Sequence, residues 1–114
     1  MKLQYGSIYF VEFDPSTGHE FQKTRPAVLL SSSKLIKKSS LISCVPFTGN
    51  TGNHVEGDIL VKKTRQNNLF MDSVLKSRHI STFDKRRIKK YVGDLEGTSL
   101  EKLKKQIVQN FDLI

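Results

Sequence analysis

The chain has 114 residues, of which 37% are hydrophobic, and its 19 Lys and Arg outnumber its 11 Asp and Glu to give a net charge of +8. This length and composition predict a single domain over 1–114, and apolar runs no longer than four residues argue against a transmembrane helix or a signal peptide. One cysteine, Cys44, excludes an internal disulfide framework, and three scattered histidines argue against a structural zinc site. We therefore expect a basic, cytoplasmic domain with a polyanionic partner.

The first half of the chain has the pattern of short strands separated by turns. The segment SIYFVEF at its start is rich in β-branched and aromatic residues, and turn-forming residues follow it. Pro26 is acceptable at the start of a strand, where no ladder donor is needed, and Pro46 marks an edge or the end of a later strand. We predict strands over residues 7–13, 25–31, 41–47 and 58–62, with one or two more between 72 and 83.

The C-terminal segment changes to a helical period. The apolar residues that recur at the spacing of one helix face are Leu100, Leu103, Ile107, Val108 and Phe111. Thr98 and Glu101 form a capping box after Gly97, and the apolar stripe fits core packing better than a partner site. A shorter helical piece is expected over 84–90. Short strands followed by a terminal helix predict a small, strongly bent antiparallel barrel.

The positive charge is concentrated in the second half of the chain. Residues 1–57 sum to +2 and residues 58–114 to +6. Most of this excess is contributed by Lys76, Arg78, Lys85, Arg86, Arg87, Lys89 and Lys90. Such a cluster attracts phosphate groups and speeds encounter with nucleic acid, but a solvated surface has the same composition. Charge alone does not distinguish RNA from DNA, or binding from cleavage.

Three polar features stand out against this scaffold. The loop over 18–24 is longer than a hairpin needs, which is typical of functional loops, although a surface loop without function has the same pattern. Arg25 stands where that loop enters a strand; its planar fork suits two phosphate oxygens, and bonding to backbone carbonyls is the structural alternative. Thr48 follows the third predicted strand, where its hydroxyl could donate to a phosphate or merely cap the turn with Gly49.

Four motifs, in chain order and at compatible spacing, resemble those of the MazF/PemK toxins, the sequence-specific endoribonucleases of type II toxin–antitoxin pairs. They are IYFVEFDP over 8–15, GHE over 18–20, RPAVLLS over 25–31 and PFT over 46–48. A weaker likeness continues through 80–88 and the closing helix, so it covers nearly the whole chain. The resemblance implies a compact, mainly β, SH3-like antiparallel barrel of the CcdB/PemK kind with an amphipathic C-terminal helix, assembled as a homodimer.

The resemblance also implies roles for individual residues. The arginine of the family's RP motif and the threonine that closes its P-x-T motif form the catalytic pair, and these positions are Arg25 and Thr48 here. The glycine-x-glutamate loop that covers the substrate in the family corresponds to Gly18, His19 and Glu20.

Two departures from the family pattern bear on which RNA sequence is recognised. Gly49 stands where the family often has serine, and Arg78-His79 stand where many members have an acidic residue and glutamine. Whether a carboxylate assists catalysis at that edge stays open. We expect Lys76, Arg78 and His79 to bind substrate, with the basic segment following the RNA backbone.

The expected reaction is metal-independent cleavage of single-stranded RNA, without a cofactor. The ribose 2′-hydroxyl attacks the adjacent phosphorus and leaves a 2′,3′-cyclic phosphate and a 5′-hydroxyl end. The sequence lacks a pattern that resembles a carboxylate cluster for two magnesium ions, and arginine is a poor general base at pH 7. By residue type, the candidates for proton transfer are His19, Glu20 and His79. The candidates for stacking on bases are Phe21, Phe47 and Phe70, although core packing is the better interpretation for at least two of them.

The resemblance further implies an acidic antitoxin as partner, which would fold across the basic groove and mask the RNA site. Two other functions stay open: a non-enzymatic, CcdB-like toxin that binds DNA gyrase, and an SH3-like nucleic-acid-binding module without activity. The motifs around Arg25 and Thr48 belong to the ribonuclease branch and favour the nuclease.

Overall fold

The computed structural model describes residues 3–13, 24–53 and 55–113. The strands in this part of the chain are β1 (Ser7–Glu12), β2 (Thr24–Leu29), β3 (Leu41–Thr48), β4 (Ile59–Val61), β5 (Ser73–Leu75), β6 (Ser81–Asp84) and β7 (Ile88–Asp94). The α-helices are α1 (Ser33–Lys38) and α2 (Gly97–Asn110), and short 3₁₀ turns cover Thr51–Asn53 and Lys85–Arg87. Gly18, His19, Glu20, Phe21 and His54 lie outside the described residues.

The strands form one antiparallel sheet in the order β4-β5-β3-β2-β1-β7, and β6 also pairs with β3. Alternate residues of the central strands enter two apolar clusters. Along β1, Ile8 joins the cluster that contains Leu103 of α2, whereas Tyr9 and Val11 join the cluster that contains Ile36 of α1. Because successive strand residues point to opposite faces, the centre of the sheet is buried on both sides.

The four strands predicted in the first half of the chain are confirmed to within two residues at each end, and the two short strands expected between 72 and 83 are β5 and β6. Pro46, however, lies inside β3, opposite Ala27 of β2. On its other side, β3 pairs with β6 up to Cys44 and with β5 from Phe47 onward. The Pro46 carbonyl accepts from the Lys76 N–H on that side (3.0 Å), so the donor that proline lacks falls where the partner strand changes.

The helical piece expected over 84–90 is limited to the 3₁₀ turn, and β7 begins at Ile88. The sequence pattern does not reveal this strand. Its pairing with β1 has two register irregularities, which interrupt the alternation of buried and exposed residues. Ile88 and Val92 are buried, whereas Lys89 and Lys90 between them are both exposed. The sequence pattern also missed α1, whose six residues are too few for a helical period to be recognised.

The C-terminal helix is confirmed, but its N-cap is Glu96 and not Thr98. The Glu96 carboxylate does not cap the helix; it accepts from Thr64 Oγ1 (2.5 Å) and Asn67 Nδ2 (3.0 Å). Burial raises the pKa of Glu96, and these two hydrogen bonds outweigh that effect and bring the pKa below its usual value. Leu103 is fully buried, so the apolar stripe of α2 does serve the core, although Phe111 beyond its end is half exposed.

Candidate active site

Arg25 and Thr48 lie at the same end of two neighbouring strands, near the start of β2 and at the end of β3. The antiparallel register of β2 and β3 pairs Ala27 with Pro46, and continuing it by two residues places Arg25 opposite Thr48. On its other side, Arg25 pairs with Val11 of β1, and this pairing fixes its backbone. Two positions 23 residues apart in sequence are thus brought together by strand pairing alone.

Both side chains line one open groove of about 330 Å³. The other residues that line it are Phe10, Thr24, Pro26, Phe47, Gly49, Leu69, Phe70, Met71 and Ser73. Among these described residues Arg25 is the one charged side chain. A half-buried guanidinium in a groove lined by apolar and hydroxyl groups is suited to an anionic group, because low polarity strengthens its electrostatic interactions.

The Thr48 hydroxyl has one long contact within the turn that follows β3. Its Oγ1 accepts from the Asn50 N–H at 3.4 Å, which is the capping role expected from the sequence. An oxygen that accepts still has its own proton to donate, so this contact does not prevent Thr48 from bonding a ligand in the groove.

Gly49 and Met71 fill the space beside Thr48. A Cβ placed on Gly49 would lie 2.5 Å from the Met71 sulfur, which is closer than such atoms approach. The departure from serine at this position is therefore matched by a methionine side chain that occupies the adjacent space. No pattern in the sequence connects these two residues.

Leu69, Phe70 and Met71 of the groove lining belong to the Asn67 loop (residues 62–72), which a buried asparagine holds in place. Asn67 is completely buried, and its side-chain amide makes four hydrogen bonds. Its partners are the N–H groups of Thr64 and Leu69, the carbonyl of Lys62 and the carboxylate of Glu96, at 2.9, 3.1, 2.9 and 3.0 Å. Because an amide has two donor protons and two acceptor sites, all of its capacity is used.

The Asn67 loop also rests directly on β7. A Cβ on Gly93 would lie 2.4 Å from the Asn67 carbonyl oxygen, so this close approach of two backbones needs glycine. The Asp94 N–H donates to the Gln66 carbonyl (3.1 Å), and Asn68 Nδ2 donates to the Val92 carbonyl (2.9 Å). The loop is therefore attached to the sheet along its length.

The residues predicted as stacking candidates differ in their exposure. Phe47 is 1% exposed and belongs to the core, which is the alternative of core packing and removes it from the stacking candidates. Phe70 is 92% exposed and lines the groove, as does Met71, which is 47% exposed. Phe21 lies outside the described residues, as do the predicted loop residues 18–20.

The basic segment 76–90 is largely engaged by the protein itself. Lys76 forms an ion pair with Asp58 (2.5 Å), and only 13% of the Lys76 side chain and 2% of the Asp58 side chain are exposed. Lys85 donates to the Ile36 carbonyl. Arg87 donates to the Glu12 carbonyl (3.1 Å) and lies over the Phe83 ring.

Arg86 pairs with Asp84 at the surface (3.1 Å). The Arg86 backbone N–H and its guanidinium hold the pKa of Asp84 below its usual value. Arg78, Lys89 and Lys90 are exposed. A run of like charges in the sequence is therefore divided between structural contacts and surface positions.

Arg78 and His79 are not brought into the groove that holds Arg25 and Thr48. Arg78 lines a second groove, of about 450 Å³, together with Gln106 and Asn110 of α2. Partial burial, followed by the positive charges of Lys76 and Arg78, lowers the pKa of His79 below its usual 6.5, against an opposing effect of Asp58. At neutral pH the His79 side chain is therefore mostly uncharged.

Comparison with known proteins identifies the family. A model of the PemK-like, MazF-like toxins of type II toxin–antitoxin systems matches residues 4–111. The chain belongs to this family. The match covers β1 through the end of α2, and the predicted resemblance is thereby confirmed.

Solved structures of MazF toxins share the fold. MazF from Deinococcus radiodurans superposes with a TM-score of 0.83 at 18% identity over 98% of each chain. A mycobacterial endoribonuclease solved with its cognate antitoxin has a TM-score of 0.79 at 13% identity over 98% of this chain and 97% of that one. The Mycobacterium tuberculosis toxin MazF-mt6 has a TM-score of 0.76 at 20% identity over 93% and 96%. These similarities confirm the predicted fold class.

A search of curated protein sequences finds no match to the chain. Within residues 3–13, 24–53 and 55–113, no three or more His, Cys, Asp or Glu side chains are grouped so that they could hold a metal ion. No helix in the same part of the chain has the length and apolarity needed to cross a membrane.

Proposed function

We propose that this member of the MazF/PemK family is a sequence-specific endoribonuclease that cleaves single-stranded mRNA in the cytoplasm, without a metal ion or cofactor. The observation that carries the proposal is that Arg25 and Thr48 line one open groove, with the guanidinium as the charged group among its described lining residues. A phosphodiester in this groove would meet a cation and a hydroxyl and no carboxylate of that set.

The reaction needs no nucleophile from the protein, because the substrate supplies its own. The ribose 2′-oxygen loses its proton and bonds to phosphorus, the bond from phosphorus to the 5′-oxygen breaks, and that oxygen takes up a proton. The products are a 2′,3′-cyclic phosphate and a 5′-hydroxyl end. The protein has to position the chain and stabilise the negative charge that develops on the phosphorane oxygens.

Arg25 is suited to stabilise the negative charge that develops on the phosphorane oxygens, and Thr48 is suited to orient the reacting group. A guanidinium such as that of Arg25 presents two parallel N–H groups to the non-bridging oxygens and is a positively charged group. Thr48 adds a hydrogen bond to the same oxygens or orients the 2′-hydroxyl. Removal of one such stabilising donor costs about 100- to 1000-fold in rate.

Proton transfer is assigned to a residue other than Arg25, because arginine holds its proton too tightly to act as a base at pH 7. The candidates stay His19, Glu20 and His79. The lowered pKa of His79 favours the neutral imidazole, the form that accepts a proton, although His79 is not among the residues that line the Arg25 groove.

We assign the remaining substrate contacts as the sequence predicts, with Gly18, His19 and Glu20 over the RNA and Lys76, Arg78 and His79 along it. The exposed guanidinium of Arg78 is available to a phosphate at the second groove. The ion pair with Asp58 limits Lys76 to a weaker, long-range contribution.

The proposed partner is an acidic antitoxin whose segment covers the groove, and the proposed assembly is a homodimer. The net charge of +8 supports binding of an acidic chain, and a mycobacterial endoribonuclease of this fold was solved with its antitoxin. Sedimentation of the purified chain, alone and with a candidate antitoxin if the neighbouring reading frame encodes a small acidic protein, tests both assignments.

The deciding experiment is cleavage of a long single-stranded RNA in EDTA by four purified proteins: wild type, Arg25→Ala, Thr48→Val and Lys37→Ala. Lys37 is an exposed residue of α1 and serves as the control for the loss of one positive charge. We expect discrete fragments with 5′-hydroxyl ends from wild type and Lys37→Ala, and a loss of about 100- to 1000-fold for the two groove variants.

Other outcomes favour other functions. Equal cleavage by all four proteins contradicts the assignment of Arg25 and Thr48. Intact RNA that stays bound favours a non-enzymatic nucleic-acid-binding module. Inhibition of DNA gyrase without RNA cleavage favours a CcdB-like toxin.

A further inference from the structure

Phe70 is the most exposed large apolar side chain among the described residues, and it lines the groove that holds Arg25 and Thr48. Phe70 is 92% exposed, whereas Phe47, in the same groove lining, is 1% exposed. Met71 beside it is 47% exposed. Apolar side chains exposed together at a groove are typical of a surface that is covered when a ligand binds.

The exposure of Phe70 does not come from a loosely held segment. The Asn67 loop is fixed by the four hydrogen bonds of the buried Asn67 amide and by its close approach to Gly93. On the other side of Phe70, the Ser73 hydroxyl donates to the Met71 carbonyl (2.8 Å), and Asp72 accepts from the Lys63 N–H (2.9 Å). The fold therefore holds the phenyl ring out from the surface on a fixed backbone.

Met71 joins the ring to the reacting end of the groove. Its sulfur lies 2.5 Å from the position that a Cβ on residue 49 would occupy. Met71 therefore packs against the backbone directly after Thr48. The lining of the groove consequently combines a cation and a hydroxyl with an aromatic ring and a thioether. A nucleotide has the matching arrangement, a phosphate joined through its sugar to a flat base.

We infer that Phe70, supported by Met71, is the stacking surface for an unpaired base next to the scissile phosphate. This inference rests on the proposed ribonuclease function and adds a base-binding subsite to it. Aromatic rings bind bases of single-stranded RNA by stacking, with little dependence on which base is present. An apolar protein side chain would match only the ring, whereas a nucleotide matches both the ring, through its base, and the cation and hydroxyl of the same groove, through its phosphate, so we favour a nucleotide as the occupant.

The test compares Phe70→Ala, Phe70→Tyr and Phe111→Ala. Phe70→Tyr keeps a ring, and Phe111→Ala removes another exposed phenylalanine (52% exposed), at the end of α2. The probe is a single-stranded RNA that spans a mapped cut site, carries a 2′-deoxy sugar at the cut and has 2-aminopurine as the adjacent base. The 2′-deoxy sugar removes the nucleophile, so binding is measured without cleavage.

We expect Phe70→Ala to weaken binding of this probe by about 5- to 150-fold and to abolish the quenching of 2-aminopurine fluorescence that stacking produces. Phe70→Tyr should bind the probe within about twofold of wild type because it keeps a ring at this position. Phe111→Ala should do the same because residue 111 is not part of the groove lining. Thermal unfolding should be nearly unchanged in Phe70→Ala, because the side chain is exposed.

Equal affinity and equal quenching for wild type and Phe70→Ala overturn the inference, and if wild type still cleaves RNA the proposed function survives that result. Weakened binding of an acidic antitoxin peptide by Phe70→Ala, with RNA binding unchanged, also overturns it and makes the ring a protein-docking residue. If wild type neither binds nor cleaves RNA, the proposed function fails and the base subsite fails with it.

Discussion

The groove around Arg25 and the basic segment 76–90 are both positively charged, but they use the charge differently. Arg25 stands beside a hydroxyl and two exposed apolar side chains in one open groove. In the basic segment, Lys76 and Arg86 are paired with carboxylates, and Lys85 and Arg87 donate to backbone carbonyls. A high density of charge in the sequence therefore marks a surface, whereas the site is marked by different chemical groups that strand pairing brings together.

The largest expected effect concerns the Asn67 loop, which contributes Leu69, Phe70 and Met71 to the groove. Asn67→Leu leaves the N–H groups of Thr64 and of the buried Leu69 without their acceptor, and we expect the free energy of unfolding to fall by about 2–5 kcal/mol. Urea unfolding measures this, with Gln66→Ala as the control because Gln66 is exposed and its backbone contact is kept. Equal stability of the two variants would show that the Asn67 bonds do not hold the loop.

The next effect separates charge from geometry in the groove. Arg25→Lys keeps the positive charge but loses the planar pair of donors, and we expect single-turnover cleavage to slow by about 10- to 100-fold. The matched change Arg86→Lys, in the basic segment, should alter the rate by less than about twofold, because its ion pair with Asp84 is exposed. Equal rates for the two lysine variants would mean that Arg25 acts only as one more charge.

How the basic segment binds RNA is tested by salt. A variant with Arg78, Lys89 and Lys90 all changed to Gln removes three exposed cations and should lower the slope of log affinity against log salt by about 2. Arg86→Gln and Arg87→Gln together should change it less, because both residues bond to the protein. If the two variants have the same slope, the internal contacts of the segment do not limit its use by RNA.

The smallest effect is a pH dependence of stability. Because the pKa of His79 is lowered in the folded state, the unfolded chain takes up the proton more readily. The resulting stabilisation is complete above pH 6.5 and is lost as pH falls through the lower pKa of the folded state. Unfolding of His79→Gln between pH 5 and 8 should show a weaker loss toward acid than wild type, and an equally steep loss would contradict this role of His79.

The sequence was informative about the fold where strands alternate or run continuously apolar, as in β1 to β3. It failed for β7, because the exposed Lys89 and Lys90 and two register irregularities hide a strand that pairs with the central β1. The sequence pattern places the helix cap at Thr98, whereas the N-cap of the helix is Glu96. The carboxylate of Glu96 accepts a hydrogen bond from Asn67, which is 29 residues away in sequence. Local patterns cannot reveal contacts of that range.

The site was predictable only in part. Arg25 and Thr48 were identified by motif, and the register of β2 and β3 gives the physical reason that they meet. The exposure of Phe70 could not be read from the sequence, since Leu69, Phe70 and Met71 form an uninterrupted apolar run in which only Leu69 is buried. The Asn67 side chain accepts from the N–H of Leu69, the buried residue of this run, and that contact has no signature in the local sequence.

The central claim is that Arg25 and Thr48 act on one scissile phosphate. The most direct measurement is a crystal structure of the protein with an RNA that carries a 2′-deoxy sugar at its mapped cut site. We predict both side chains within about 3 Å of oxygens of the same phosphate, with the neighbouring base against Phe70. A scissile phosphate held along Lys89 and Lys90, away from Arg25, would contradict the account.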